Sequence, residues 1–84
     1  MNNSFYNDFA ARFAAGTLTS LVESFNRQVG KRGFNSVRAP HDNALIDELV
    51  RRGIDVSAVF DGTTISFAHH VVLDNNSLVI NKII

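Results

Sequence analysis

The sequence predicts an α+β domain in which three helices are followed by a three-stranded antiparallel β-meander packed on them. Apolar residues recur at helical spacing as far as Gly53, and beyond it the chain is rich in β-branched residues and alternates at strand spacing. Helices and strands in separate blocks are typical of the α+β class. The chain has 84 residues, too few for two independent cores, so residues 1–84 are predicted to form a single domain.

The first predicted helix carries a stripe of phenylalanines. Phe5, Phe9 and Phe13 recur at every fourth residue, Ser4 is a suitable N-cap, and Gly16 ends the helix. Residues four apart lie on one helix face, so the simplest interpretation is that this stripe faces the core. The alternative is an exposed aromatic ridge that binds a partner, and the three phenylalanines are therefore also candidate interface residues.

The second predicted helix begins between Thr17 and Ser20 and ends at Gly30, since glycine is common just past a helix end. Ser20 and Glu23 have the spacing of a capping box. The apolar face of this helix follows the spacing i, i+3, i+4, i+7 and i+11, and consists of Leu18, Leu21, Val22, Phe25 and Val29.

The third predicted helix covers residues 41–52. Pro40 suits its first turn, and Gly53 follows its end. Ala39 precedes the proline, which disfavours a helical backbone at that residue. The apolar face contains Leu45, Ile46 and Leu49, while Arg51 and Arg52 lie near the negative end of the helix dipole.

Three strands are predicted after Gly53, over residues 54–60, 64–73 and 78–84. Asp61-Gly62 is a strong hairpin turn signal, and residues 74–76 form a second turn. Alternation in the second strand places His69 and His70 on opposite faces, so they cannot easily chelate one ion. With no cysteine and no closely spaced acid to complete a ligand set, we expect neither a metal nor another cofactor.

Composition excludes several classes of protein. The chain has no cysteine, which rules out disulfides, thiolate zinc sites and cysteine nucleophiles. No apolar run approaches the ~20 residues of a membrane span, and the N-terminus lacks the features of a signal peptide, so a cytoplasmic location is expected. The absence of a nucleophile elbow, a paired-carboxylate motif and a P-loop argues against an enzyme.

One stretch of the sequence is strongly basic. Four of the eight basic residues fall within twelve positions that contain no acid, although the net charge of the chain is zero. Gly30 and Gly33 bracket Lys31-Arg32, so the charges are predicted to lie on an exposed connection between two helices. The candidate polyanion-binding residues are Arg27, Gly30, Lys31, Arg32, Gly33 and Arg38.

This stretch resembles the G-x-x-G loop of KH domains over about ten residues, 29–38. The resemblance implies a basic loop that clamps the backbone of a single-stranded nucleic acid. The surroundings depart from that family, because residues 4–14 are predicted to be helical where a type I KH domain has a strand, and Pro40 interrupts the position of the second KH helix. The alternative is a purely structural role, in which a glycine helix cap is followed by solvated charges.

A winged helix has the same order of three helices and a hairpin. Its recognition helix would be residues 41–52, which begin His41-Asp42-Asn43 and carry Asp47-Glu48. These acids would meet the DNA backbone unfavourably, which argues against reading of the major groove.

The predicted last strand ends the sequence and is apolar on both faces. Such a strand can be a sheet edge that pairs with another chain, which makes Leu78, Ile80, Ile83 and Ile84 candidate interface residues. The sequence therefore favours a small non-enzymatic binding or regulatory protein that acts through a protein interface and self-associates. Binding of single-stranded nucleic acid or another polyanion through the Gly30–Gly33 loop is the alternative function, and no membrane partner is expected.

Overall fold

Three helices followed by a β-hairpin make up the computed structural model over the residues that it describes, 4–30 and 38–81. The helices are α1 (Ser4–Ala15), α2 (Leu18–Gln28) and α3 (Arg38–Arg51), and the strands are β1 (Val71–Asp74) and β2 (Ser77–Ile80). The architecture is therefore α+β, with the predicted order of helices before strands.

The predicted three-stranded meander is not confirmed, because the described residues form a sheet of two strands. Residues 54–60 form a turn at 57–59 and isolated bridges at Asp55 and Phe60 instead of a continuous strand. The Asp55 carboxylate accepts a hydrogen bond from the Ser57 amide, and the Val59 and Phe60 amides both donate to the Val56 carbonyl. Local side-chain and turn hydrogen bonds thus outweigh the β-propensity of the valines.

The second predicted strand is also shorter than expected, because residues 64–70 pair with several different partners. Ile65 forms a single bridge with Phe60, the Ser66 amide donates to Val59, and the Phe67 carbonyl accepts from Gly30. The regular ladder begins only at Val71. Its turn is as tight as the sequence indicates, since Asn75 and Asn76 both have the positive φ angles of a two-residue hairpin loop.

Helix α2 is capped by Thr17 rather than by the predicted box at Ser20. The Ser20 amide donates to the Thr17 side chain at 3.1 Å, and the Ser20 hydroxyl donates to the Thr17 carbonyl at 2.8 Å. Helix α3 begins earlier than predicted, so Ala39 is helical although it precedes a proline. Pro40 still lies in the first turn, where its missing amide hydrogen costs no intrahelical bond.

The core lies between the three helices and the inner face of the hairpin. It combines the predicted faces of α2 and α3 with the valines of the turn segment and one residue from each strand: Phe13, Leu21, Phe25, Ala44, Leu45, Ile46, Leu49, Ile54, Val56, Val59, Val71 and Leu78. Burial of these side chains is the main source of stability in a chain of this size.

The end of α1 is held by an arginine from the end of α3. One terminal nitrogen of Arg52 donates to the carbonyls of Phe13 and Gly16 at 2.8 and 2.7 Å, and Arg52 Nε donates to Glu48 at 2.7 Å. Glu48 is buried, and Arg51 contacts the same carboxylate. The guanidinium of Arg52 thus adds a donor to the Phe13 carbonyl, which also accepts from the Gly16 amide, and binds the Gly16 carbonyl just past the helix end.

Candidate interaction surface

The basic stretch is described only in part. Lys31, Arg32 and Gly33 lie outside the described residues, whereas Arg27 is on α2 and Arg38 is the first residue of α3. Arg27 is exposed and donates to the Ser24 hydroxyl at 3.1 Å. Whether these residues form one polyanion site therefore stays a prediction.

Arg38 is engaged within the protein. Its Nε lies 3.4 Å from a carboxylate oxygen of Asp42, one turn along α3, and its guanidinium lies 5.5 Å from the centre of the Phe67 ring. The Asp42 side chain is largely buried and also contacts His41 Nδ1 at 3.0 Å. A polyanion that bound Arg38 would therefore compete with a carboxylate for the same guanidinium.

Gly30 acts as a structural residue at the end of α2. Its φ angle is +77°, which favours glycine, and its amide donates to the Phe67 carbonyl at 3.3 Å. This hydrogen bond joins the end of α2 to the segment that leads into the hairpin. The first glycine of the G-x-x-G pattern thus ends a helix, as expected if the pattern is a glycine helix cap followed by solvated charges.

An open cleft of about 520 Å³ lies between the start of α3 and residues 63–67. Arg38, Asp42 and Phe67 are among its lining residues, together with Thr63 and Thr64. The carboxylate in the cleft is the one that pairs with Arg38, so its charge is balanced by its neighbour.

The phenylalanine stripe of α1 is mostly turned into the protein. Phe13 is buried, Phe9 is half-buried, and both rings contact the His41 ring edge-on at centroid distances of 5.3 and 4.9 Å. Phe5 is 50% exposed. Of the three candidate interface residues on α1, only Phe5 therefore offers a largely exposed side chain.

The inner face of the hairpin is buried at Val71 and Leu78 but not at Leu73, whose side chain is 39% exposed. Antiparallel register pairs Val71 with Ile80 and Leu73 with Leu78 on the inner face, where Val71 and Leu78 are buried. Leu78 thus belongs to the core, Ile80 packs partly against it, and the candidates Ile83 and Ile84 lie outside the described residues.

The outer face presents an apolar pair. Val72 lies opposite Val79, and these side chains are 43% and 40% exposed. Directly opposite residues of two strands stand on the same side of the sheet and contact each other. We call Val72 and Val79, with the flanking positions of their face, the outer hairpin face.

Polar residues flank this pair at both ends. The two-residue period of a strand puts His70 and Asp74 on the face of Val72, on either side of it. His70 belongs to the ladder although it precedes β1, because the Asn81 amide donates to its carbonyl at 2.9 Å. Both His70 and Asp74 are exposed. The outer face therefore runs from a histidine through two valines to a carboxylate.

Both edges of the hairpin are partly covered by other residues. Beside β1, the Asn26 side-chain amide donates to the Val71 carbonyl at 2.9 Å and accepts from the Val71 amide at 2.8 Å, as a neighbouring strand would. Beside β2, Asp55 accepts from the Leu78 amide and donates to the Asn76 carbonyl, both at 2.9 Å. These contacts limit the addition of a further strand and leave the outer face as the more accessible surface.

Replacing Asn26 with alanine is expected to reduce the free energy of unfolding by about 2 kcal/mol. The change removes two hydrogen bonds and leaves the backbone of the buried Val71 without its partners. Urea unfolding followed by circular dichroism measures the loss. Asn43→Ala on α3 is the matched control, because Asn43 is exposed. Equal effects at the two positions would show that the Asn26 contact contributes nothing specific.

The part of the chain that the structure describes contains neither a candidate metal cluster nor a candidate membrane-spanning helix. Within residues 4–30 and 38–81, no group of three or more histidine, cysteine, aspartate or glutamate residues has an arrangement that could hold a metal ion. None of the helices in the described part of the chain is both long enough and apolar enough to cross a bilayer.

Sequence reasoning did not find the outer hairpin face as a candidate surface. It assigned the strand faces by alternation but took the last strand as longer and as the edge of a three-stranded sheet. The signal that could have found the face is the run from residue 70 to residue 81, where valines at 72 and 79 take equivalent positions about an Asn-Asn turn.

Comparison of the chain with protein-family models, with curated proteins and with solved structures gives no significant match.

Proposed function

We propose that this protein is a small non-enzymatic binding protein that acts through a protein interface and self-associates through its outer hairpin face. The observation that carries the proposal is the exposure of Val72 and Val79, which lie side by side on the outer hairpin face. Burial of aligned apolar side chains against a second molecule releases their hydration water and favours association.

The proposed association is weak. Each hairpin strand has four residues, so the face falls well below the ~800 Å² per partner of a standard stable interface. We expect a dissociation constant in the micromolar range or above. Self-association of this strength must be sought at protein concentrations of about 0.1–1 mM.

Sedimentation equilibrium over such a concentration series tests the proposal. The wild-type chain is expected to show a monomer–dimer equilibrium, and Val79→Lys is expected to weaken it at least tenfold, because the two-fold related lysines would lie near one another in a desolvated contact. Val50→Lys is the matched control. Val50 is a valine of α3 that is 53% exposed, so this change adds the same charge at a similarly exposed position off the hairpin.

Three results would contradict the proposal. A wild-type chain that stays monomeric at every concentration would remove self-association altogether. Equal weakening by Val79→Lys and Val50→Lys would remove the assignment to the hairpin. Weakening by Val50→Lys alone would move the interface to α3. Circular dichroism of each variant checks that the fold is retained.

Polyanion binding through the basic stretch is the second candidate function. The exposed Arg27 favours it, whereas Arg38 already pairs with Asp42 and the Gly30 amide already donates to Phe67. If it is correct, the chain binds single-stranded oligonucleotides at low salt, and Lys31→Ala combined with Arg32→Ala removes most of the affinity. No binding at low salt would exclude it.

A further inference from the structure

The order of residues on the outer hairpin face determines how a second copy can sit on it. Along β1 the face reads His70, Val72, Asp74, so a basic and an acidic side chain lie on opposite sides of the apolar centre. Four strand residues span about 13 Å, and the two polar residues therefore cannot contact each other across Val72.

We infer that two copies pack their outer hairpin faces together with their strands antiparallel, so that His70 of each copy pairs with Asp74 of the other. This inference rests on the proposed self-association and adds the orientation of the second copy. A two-fold axis that passes between the sheets, perpendicular to the strands, superposes each β1 on its partner in the reverse direction. Val72 and Val79 then meet their counterparts at the centre of the contact.

The occupant is a second copy because the face is complementary to itself. In the antiparallel arrangement the basic end of one face covers the acidic end of the other, which gives two equivalent His–Asp contacts at the rim of the apolar centre. With the strands parallel, the same two-fold packing would place His70 over Asn81 and Asp74 over Ser77, and no imidazole would meet a carboxylate. Electrostatic complementarity of this kind selects one orientation over another.

Face-to-face packing also agrees with the condition of the hairpin edges. The Asn26 side chain is hydrogen-bonded to the amide and carbonyl of Val71 beside β1, and the Asp55 carbonyl accepts a hydrogen bond from the Leu78 amide beside β2. A second copy that added a strand would have to displace one of these contacts. A second copy that packs on the face displaces neither.

A charge exchange between the two positions tests the orientation. By sedimentation equilibrium at pH 7.5, His70→Glu is expected to weaken the dimer at least fivefold, because the new carboxylate faces Asp74 of the second copy. Asp74→Lys is expected to weaken it similarly. The double variant His70→Glu with Asp74→Lys recreates opposite charges in the reverse order and is expected to restore the dissociation constant to within about threefold of the wild type.

His69→Glu is the matched control for the first change. It introduces the same charge at the adjacent exposed histidine, which lies in a bend ahead of the ladder. His69→Glu is therefore expected to leave the dissociation constant within about twofold of the wild type. His70→Lys, which gives a permanent positive charge, is expected to strengthen the dimer.

The outcomes separate this inference from the proposed function. If the wild type dimerises and Val79→Lys abolishes the dimer, self-association through the hairpin stands. If His70→Glu then has no more effect than His69→Glu, or if the double variant is not restored, the antiparallel orientation is overturned while the interface remains. A monomeric wild type would overturn both.

Discussion

Replacing Arg52 with alanine is expected to reduce the free energy of unfolding by about 3 kcal/mol. The guanidinium joins two parts of the protein, since it contacts the carbonyls of Phe13 and Gly16 at the end of α1 and the carboxylate of Glu48 on α3. Alanine leaves the Gly16 carbonyl without this donor and leaves the Phe13 carbonyl with only the Gly16 amide, and each hydrogen bond from a charged group contributes about 1.5–3 kcal/mol.

Arg51→Ala is the matched control for this prediction. Arg51 is the preceding residue and contacts the same carboxylate, but its side chain is 64% exposed and forms no hydrogen bond to α1 among those found in the described residues. We expect it to cost much less stability than Arg52→Ala, because Glu48 keeps Arg52 and the α1 carbonyls keep their donor. Arg52→Lys is expected to recover only part of the stability, since one ammonium group cannot reproduce the planar arrangement of donors.

Urea unfolding monitored by far-ultraviolet circular dichroism measures these differences. In a chain of this length a loss of 3 kcal/mol corresponds to a decrease of about 12–24 °C in the melting temperature. Equal losses in Arg51→Ala and Arg52→Ala would show that only the Glu48 contact matters and that the bonds to α1 contribute nothing.

Acidification is expected to destabilise the protein through Glu48. The hydrogen bonds from Arg51, together with those from Arg52, outweigh the effect of burial and lower the pKa of this carboxyl from 4.5 to about 2. Because the folded-state pKa lies below the ordinary value, the contribution is fully present above about pH 5 and is lost as the pH falls towards 2. The size of the shift corresponds to a contribution on the order of 3 kcal/mol.

Comparing the wild type with Glu48→Gln over a pH series measures this contribution. Near pH 7 the glutamine variant is expected to be less stable by about 3 kcal/mol, because it leaves two arginines without their carboxylate. The difference is expected to shrink between pH 4.5 and 2, where the wild type also loses the charge.

Glu23→Gln provides the comparison for a carboxylate on the surface, since Glu23 is exposed on α2. It is expected to change the free energy of unfolding by less than about 0.5 kcal/mol at neutral pH. A Glu48→Gln difference that stays constant from pH 7 to 2.5 would show that the charge of Glu48 is not what stabilises the fold.

Much of the helical part of the fold was predictable from local patterns. The apolar spacing of α2 and α3 identified Leu21, Phe25, Leu45 and Leu49 as core residues, because a helix has one fixed period that exposes one face. Gly16 and Gly30 marked helix ends for the same local reason. The start of α3 at Arg38 was missed, since the preference of a residue before proline is weak enough for a helix to override it.

The sheet was less predictable because strands depend on distant partners. Residues 54–60 have a strand composition, yet the Asp55 side chain and the Val56 carbonyl organise them into turns. Only Val71–Asp74 and Ser77–Ile80 find a ladder. Alternation by itself correctly placed neighbouring side chains on opposite sides, but it could not say which side the helices would cover.

By itself, the sequence determined the α+β class, the order of helices before strands, and the central residues of the core. Each of these follows from short-range periodicity and from residues that favour helix ends and turns. The tertiary structure decided that Phe13 is buried while Phe5 is half exposed, that Arg52 caps α1, that Arg38 pairs with Asp42 beside the Phe67 ring, and that Val72 and Val79 are exposed. These features join residues about 30 or more positions apart or depend on which face the helices cover, and no local pattern encodes such contacts.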